Sequence, residues 1–197
     1  MVNNDSQATQ RQKWNQRYQH SQAVNSPARV LTDNRHLLPS DGDALELACG
    51  LGGNALELAR AGLRTQAWDL SDVAIEKLQH VAEQQQLPLI ARCADLKHQR
   101  PPIQSFDLIC VSNFLDRELC ASIVAALRPG ALLFYQTFTR LATTDHSGPS
   151  HPDFLLKPGE LLQLFSGLAP LVYQETLYSN AADPKPSNQV YLVARTH

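Results

Sequence analysis

Glu46-Leu-Ala-Cys-Gly-Leu-Gly-Gly-Asn54 is a short apolar run that passes directly into a glycine-rich turn. Asn54-Ala-Leu-Glu-Leu-Ala-Arg-Ala61 follows with a helical pattern that Gly62 closes. Strand, tight turn and helix in that order suit a crevice that binds a nucleoside-containing ligand. Gly50, Gly52 and Gly53 allow backbone angles and a close ligand approach that a Cβ would block. The next apolar run, Thr65-Gln-Ala-Trp-Asp69, ends in a carboxylate 17 residues past Gly52, where an acid can accept both ribose hydroxyls.

Around this stretch, strand-like runs alternate with helical patterns. Strands are predicted at 44–48, 64–69, 89–93, 106–111 and 131–138, and helices at 54–61, 72–86 and 117–127. The alternation argues for an α/β fold with a mostly parallel sheet flanked by helices. Ser71 stands at an N-cap position, and Ala74, Leu78, Val81 and Ala82 recur behind it at helical spacing. Leu119, Ile123, Val124 and Leu127 do the same ahead of Arg128-Pro-Gly130, a turn signal that leads into the strand 131–138.

Upstream, a polar and frayed start is expected to give way to a helix over 9–20, and turn formers (Asn25-Ser-Pro27, Leu38-Pro-Ser-Asp-Gly42) fill the way to Asp43. Downstream, residues 139–158 carry Thr, Asp, His, Ser, Gly and three prolines, the composition of a partly ordered binding lid. A short helix over 157–165 and two runs, 170–178 and 189–195, then read as an antiparallel hairpin closing the sheet. The expected organisation is a single domain, with a helical cap over 1–43, a cofactor-binding core over 44–138, and lid, helix and hairpin over 139–197.

At 197 residues, 43% hydrophobic and 18% charged, the composition is that of a globular protein, and the net charge of −2 implies no strong polyanion partner. Arg11, Lys13, Arg17, Arg29 and Arg35 against Asp5 and Asp33 give the first 35 residues a local basic excess, more often a solvated helix face than an RNA contact. Cys49, Cys93, Cys110 and Cys120 show no metal-ligand spacing, so no metal is expected and a reducing, cytoplasmic setting is. No signal peptide and no membrane span is expected.

Glu46-Leu-Ala-Cys-Gly-Leu-Gly-Gly-Asn54, Ala67-Trp-Asp-Leu-Ser71, Ala94-Asp-Leu96, Phe106-Asp-Leu-Ile-Cys-Val111 and Leu127-Arg-Pro-Gly130 together resemble class I S-adenosylmethionine-dependent methyltransferases. Trp14-Asn-Gln-Arg-Tyr18 is similar to the W-x-x-R-Y first helix of their tellurite-resistance-type branch. The resemblance covers residues 14 to about 138 and implies a Rossmann-like, seven-stranded sheet whose last strand is antiparallel. It implies that Glu46 holds the methionine ammonium of S-adenosylmethionine, Asp69 the ribose and Asp95 the adenine amino group, with Leu96 offering a backbone N–H. Ala48, Gly50, Gly52, Asn54 and Leu70 would line the same cradle, and Ser112 and Tyr18 would lie toward the reactive methyl. Ala48 departs from the family, where many members place the first glycine of the loop, and only a slight change in backbone approach is expected from it.

A dinucleotide site is the competing reading, since Gly50-Leu-Gly-Gly-Asn-Ala55 satisfies G-x-G-x-x-A with an acid downstream. Against it stand Glu46 inside the first strand, the second acid at Asp95 and the long helical segment before the sheet, while the absence of Lys or Arg from the 46–54 loop agrees with a cofactor lacking phosphate. Methyl transfer from a sulfonium needs alignment and desolvation, and a base only if the acceptor must lose a proton. The candidates for catalytic work are His146, His151 and Tyr18, although a loop histidine is more often a solvated polar residue. Tyr135 reads as core packing or a cation–π partner, and Asp116-Arg117 as either a substrate contact or a helix start. With Ser112-Asn-Phe-Leu115 after the fourth strand, neither an N-P-P-Y signature nor a Pro-Cys is present. The expected acceptor is therefore a small-molecule nucleophile. An RNA or protein methyltransferase and a non-catalytic cofactor-binding module are the alternatives.

Overall fold

The apolar run ahead of the glycine turn is β1 (Asp43–Leu47), four of whose five residues are buried. The computed structural model describes residues 3–21, 24–140, 148–175, 177–178 and 186–197. β1 pairs in parallel on one side with β2 (Arg64–Asp69) and on the other with β4 (Phe106–Ser112). β3 (Leu89–Cys93) extends the sheet beyond β2, and β5 (Leu127–Phe138) extends it beyond β4. The full order is β3-β2-β1-β4-β5-β9-β6, with β6 (Ala169–Gln174) at the edge and β9 (Gln189–Arg195) between it and β5. β9 is antiparallel to both neighbours, so the other six strands run one way, as the family resemblance implies.

Side chains alternate between the faces, and each face has its own core. Leu45, Leu47, Ile109, Val111, Leu133 and Tyr135 pack with α5 (Cys120–Ala126) and α6 (Glu160–Leu164) on one side. Ala44, Leu108, Cys110, Leu132 and Phe134 meet Leu58 of α3 (Gly53–Arg60) and Val30 and Leu31 of α2 (Arg29–Thr32) on the other. Val30 and Leu31 are fully buried, and at about 1.5–3 kcal/mol for each such side chain they anchor a one-turn helix that has little stability alone. α4 (Asp72–Gln84) lays Ala74, Ile75, Leu78 and Ala82 beneath β2 and β3, and Ser71 Oγ caps it by accepting from Ala74 N at 3.2 Å. α1 (Asn3–Gln19) packs against α4.

Several boundaries differ from expectation. α1 starts at Asn3, and the stretch read as turns contains α2 and a 3-10 turn at Arg35–Leu37. The helix expected over 117–127 is a 3-10 turn, Arg117–Leu119, followed by the shorter α5. Arg128-Pro-Gly130, expected as a turn, lies within β5, where the pairing with β4 shifts register between Phe106 and Leu108 and Gly130 takes φ +76°. α6 is shorter than the expected 157–165, its start set by Gly159 in the left-handed region. β6 ends at Gln174, and Leu177–Tyr178 (β7) pairs instead with Pro186–Ser187 (β8) in a separate two-stranded ribbon. In the expected lid, Thr139 and Leu156 form a parallel bridge and Pro152–Phe154 a 3-10 turn, while 141–147, including His146, lie outside the described residues. Among the described residues no helix is long and apolar enough to cross a membrane.

Candidate functional site

From β1 the chain winds outward through β2 and β3, then returns to β4 on the opposite side of β1. Loops leaving the carboxyl ends of β1 and β4 therefore diverge and leave a crevice, the place where open α/β sheets bind ligands. The loop after β1 turns sharply, with Ala48 at φ +52°, Gly50 at +53° and Gly52 at +76°. Left-handed angles cost an L-residue roughly 1–2 kcal/mol, so Ala48 stores strain that glycine at this position would not.

The glycines meet protein on the faces a Cβ would occupy. A Cβ on Gly50 would lie 2.7 Å from the Tyr18 hydroxyl; one on Gly52 would strike Leu78, and one on Gly53 the Asn25 carbonyl. Gly52 and Gly53 thus permit the turn to seat against α4 and the 25–28 segment.

Asp69, at the end of β2, is only 7% exposed. Its Oδ2 accepts from Gly50 N and its Oδ1 from Ser71 N, both at 2.8 Å. Burial raises its pKa, and the N–H groups of Ser71, Gly50 and Leu70 work against that rise. Each oxygen keeps lone-pair capacity for a further donor.

Glu46 is 1% exposed on β1, on the face that α3 covers. Its Oε1 accepts from Asn54 Nδ2 at 2.8 Å and its Oε2 from Ala55 N at 2.7 Å, so it serves the first turn of α3, where Gly52 has no side chain to cap with. Burial pushes its carboxyl up to about 8, against the pull of those two bonds. Asn54 Oδ1 accepts from Ala28 N at 2.7 Å, and its Nδ2 also reaches Ser112 Oγ at 2.9 Å. Glu46, Asn54 and Ser112 are thus one network bridging β1, α3 and β4.

α1 lies over this rim. Tyr18 stacks on Trp14 at 5.8 Å, and Arg17 sits over the Trp14 ring at 5.4 Å. Burial and then the Asp69 charge hold the Tyr18 hydroxyl protonated, as a neutral donor. Ser71 Oγ donates to Asn15 Oδ1 at 2.7 Å. Lys77 Nζ donates to the carbonyls of Tyr18, Gln19 and Ser21 at 2.7, 3.0 and 2.9 Å, satisfying the end of α1 with a cation.

Asp95 and Leu96 follow β3. Ala94 N donates to Asp69 O at 2.8 Å, which brings that turn beside Asp69 and Leu70. The Asp95 side chain is 13% exposed, and its Oδ1 accepts from Lys97 N at 3.0 Å. Tyr135 is buried, donating to Phe114 O at 2.9 Å and lying 5.2 Å from the Phe165 ring, the packing role. Asp116 caps the 3-10 turn by accepting from Glu118 N at 3.0 Å. Arg117 forks onto Glu160 at 2.7 and 3.2 Å and also donates to the carbonyls of Asp153 and Leu155. His151 is exposed, and its Nδ1 accepts from Asp153 N at 3.3 Å, so its contacts stay within its own turn.

Sequence reasoning passed over Asn15, Lys77, Gln136 and Gln189. Lys77 left one signal, a cation within the apolar stripe that includes Ala74, Leu78 and Val81. Gln136 and Gln189 left none, because their partners are distant in sequence.

Carboxylates, amides and hydroxyls converge here without a cation on the glycine loop, and Gly52 and Gly53 are covered by protein. That donor set fits a nucleoside with a charged amino-acid arm better than a pyrophosphate.

Comparison with known proteins agrees with this geometry. The Methyltransferase domain family matches residues 44–130. Hemagglutinin 1 of Eikenella corrodens is 31% identical over 140 residues, 68% of this chain and 46% of that protein, so the chain spans about half the length of that relative. TehB from Haemophilus influenzae superposes with a TM-score of 0.66 at 20% identity, over 95% of this chain and 67% of that one. A SAM-dependent methyltransferase from Methanosarcina mazei gives 0.68 at 16%, over 87% and 99%. One from Mesorhizobium loti gives 0.67 at 19%, over 85% and 98%. Residues 44–130 thus match a methyltransferase domain, within a fold shared with S-adenosylmethionine-dependent methyltransferases and with TehB, and S-adenosylmethionine is the cofactor which such a domain implies.

Proposed function

We propose that the protein transfers the methyl group of S-adenosylmethionine to a small-molecule nucleophile. The observation that carries the reading is the Gly50–Asp69 bond beside the Glu46–Asn54–Ser112 network at the switch between β1 and β4. Asp69 would take the ribose hydroxyls, Glu46 would face the ammonium, Asp95 and Leu96 would receive the adenine, and Tyr18 would cover the loop. The sulfonium supplies a methyl already activated for displacement. The chain's own groups then orient the acceptor and exclude water.

The small-molecule part draws support from how the N-terminal basic residues are used. Arg17 lies over Trp14, Arg29 pairs with Asp33 at 3.0 Å and Arg35 with Glu57 at 2.6 Å. Three of the five basic residues are thus engaged within the fold, leaving less for a polyanion. Calorimetry with S-adenosylmethionine and S-adenosylhomocysteine, with a nicotinamide dinucleotide and Asp69→Ala as controls, tests the cofactor. Binding of both sulfur compounds that the substitution weakens is expected; preference for the dinucleotide would overturn the reading. Labelled methyl should then appear in the low-mass fraction of a cell extract, and label confined to protein or RNA would remove the small-molecule assignment.

A further inference from the structure

Two hydrogen-bond chains run from the 25–34 segment to the end of β4, and a backbone amide fixes the direction of each. A backbone N–H can only donate, so the side-chain amides it meets must present oxygen to it. Ala28 N donates to Asn54 Oδ1 at 2.7 Å, which commits the Asn54 amino group to Glu46 and to Ser112 Oγ. Ser112 thus receives a proton on a lone pair and keeps its own O–H to give. Val30 N donates to Gln136 Oε1 at 2.7 Å, Gln136 Nε2 to Gln189 Oε1 at 3.0 Å, and Gln189 Nε2 to Asn113 Oδ1 at 2.7 Å. The relay ends with the Asn113 amino group as a donor, on an exposed residue whose carbonyl is already engaged.

Among the described residues, none accepts from Ser112 Oγ or from Asn113 Nδ2. Asn113 holds φ +54°, and its N–H is tied to Gln136 O at 2.9 Å, so the left-handed backbone is imposed by the same glutamine that polarises the relay.

We infer that Ser112 Oγ–H and Asn113 Nδ2–H form a two-donor subsite that holds a carboxylate or comparable oxyanion of the methyl acceptor beside its nucleophilic atom. Assigning the bound molecule as the methyl acceptor rests on the methyltransferase reading. An ammonium is less favoured there, because it can take neither free N–H nor O–H, and the Asn113 and Ser112 oxygens each already accept one hydrogen bond and keep a single lone pair.

The test uses 15N-labelled protein with saturating S-adenosylhomocysteine, titrated with two thiols that differ only in their tail, mercaptoacetate and cysteamine. Saturable movement of the Asn113 side-chain amide signals is expected with mercaptoacetate, with affinity about tenfold or more above that for cysteamine. In Asn113→Asp the left-handed backbone is tolerated and Gln189 keeps its acceptor, while the donor becomes a carboxylate. The preference, read from the Gly50 to Asn54 and Ser112 backbone signals, should then turn to cysteamine. Equal affinity for the two thiols, no movement with either, or an order unchanged in Asn113→Asp would overturn the subsite. Cofactor affinity is read in the same samples: its failure with the thiol preference intact removes the methyltransferase reading and leaves the oxyanion site.

Discussion

The Tyr18 hydroxyl occupies the space just beyond the missing side chain of Gly50, 2.7 Å from where a Cβ would stand. A methyl there must displace Tyr18, and it adds strain at a left-handed backbone. Gly50→Ala should cost about 1–3 kcal/mol in chemical denaturation and weaken binding of S-adenosylhomocysteine. Removing the obstacle should relieve part of that cost, so Gly50→Ala/Tyr18→Ala should fall short of the sum of the single effects. Strict additivity would show that the two do not touch.

Lys77 holds three carbonyls at the end of α1. Lys77→Met keeps the aliphatic stem and deletes the cation. The global cost should be about 1 kcal/mol, whereas amide exchange across residues 9–19 should quicken about tenfold relative to β1 and β4. Uniform acceleration through the whole chain would point to general destabilisation.

Ala48 sits at φ +52°. Ala48→Gly removes a clash of its own Cβ with the backbone and adds freedom to the unfolded chain, and the first term is larger. A gain of about 0.5–1 kcal/mol is expected at the denaturation midpoint.

Glu46 titrates near 8 through burial, and burial raises Asp69 in the same sense. A raised carboxyl favours the folded state fully below its unfolded pKa, and that contribution is lost as pH rises through the folded value. Unfolding free energy should therefore drop by an amount on the order of 2 kcal/mol between pH 5.5 and 8. Asp43 and Glu160, held low by Arg64 and Arg117, act in the opposite direction and only in more acidic solution. Glu46→Gln should flatten the slope across the window, at the expense of one donor left facing an amide N–H. An unaltered slope would assign the titration elsewhere.

The elements that could be read from the chain are those whose signals are local. Glu46 to Asn54 announces strand, turn and helix within nine residues, and Ser71 with its apolar stripe announces α4. Residues 25–34 look like linker because their purpose is to donate Ala28 N and Val30 N to Asn54 and Gln136, side chains 26 and 106 positions away. No periodicity records such a bond. The acids were visible as types at strand ends, but the engagement of both Glu46 oxygens by α3 depends on burial that spacing does not encode. The early start of β5 has a similar cause: pairing of Leu127 with Phe106 and a register shift override the Pro-Gly turn signal.

β9 reaches the sheet after every strand it joins has been synthesised, yet among the described residues it is the sole sheet partner of β6 and the lateral seal on β5. Until residues 189–195 insert, β5 presents a naked flank of seven residues, Leu132–Phe138, and β6 has nothing to dock on. Partly folded molecules therefore carry a self-complementary β edge, open to strand exchange between copies, and productive folding is a race between that insertion and aggregation.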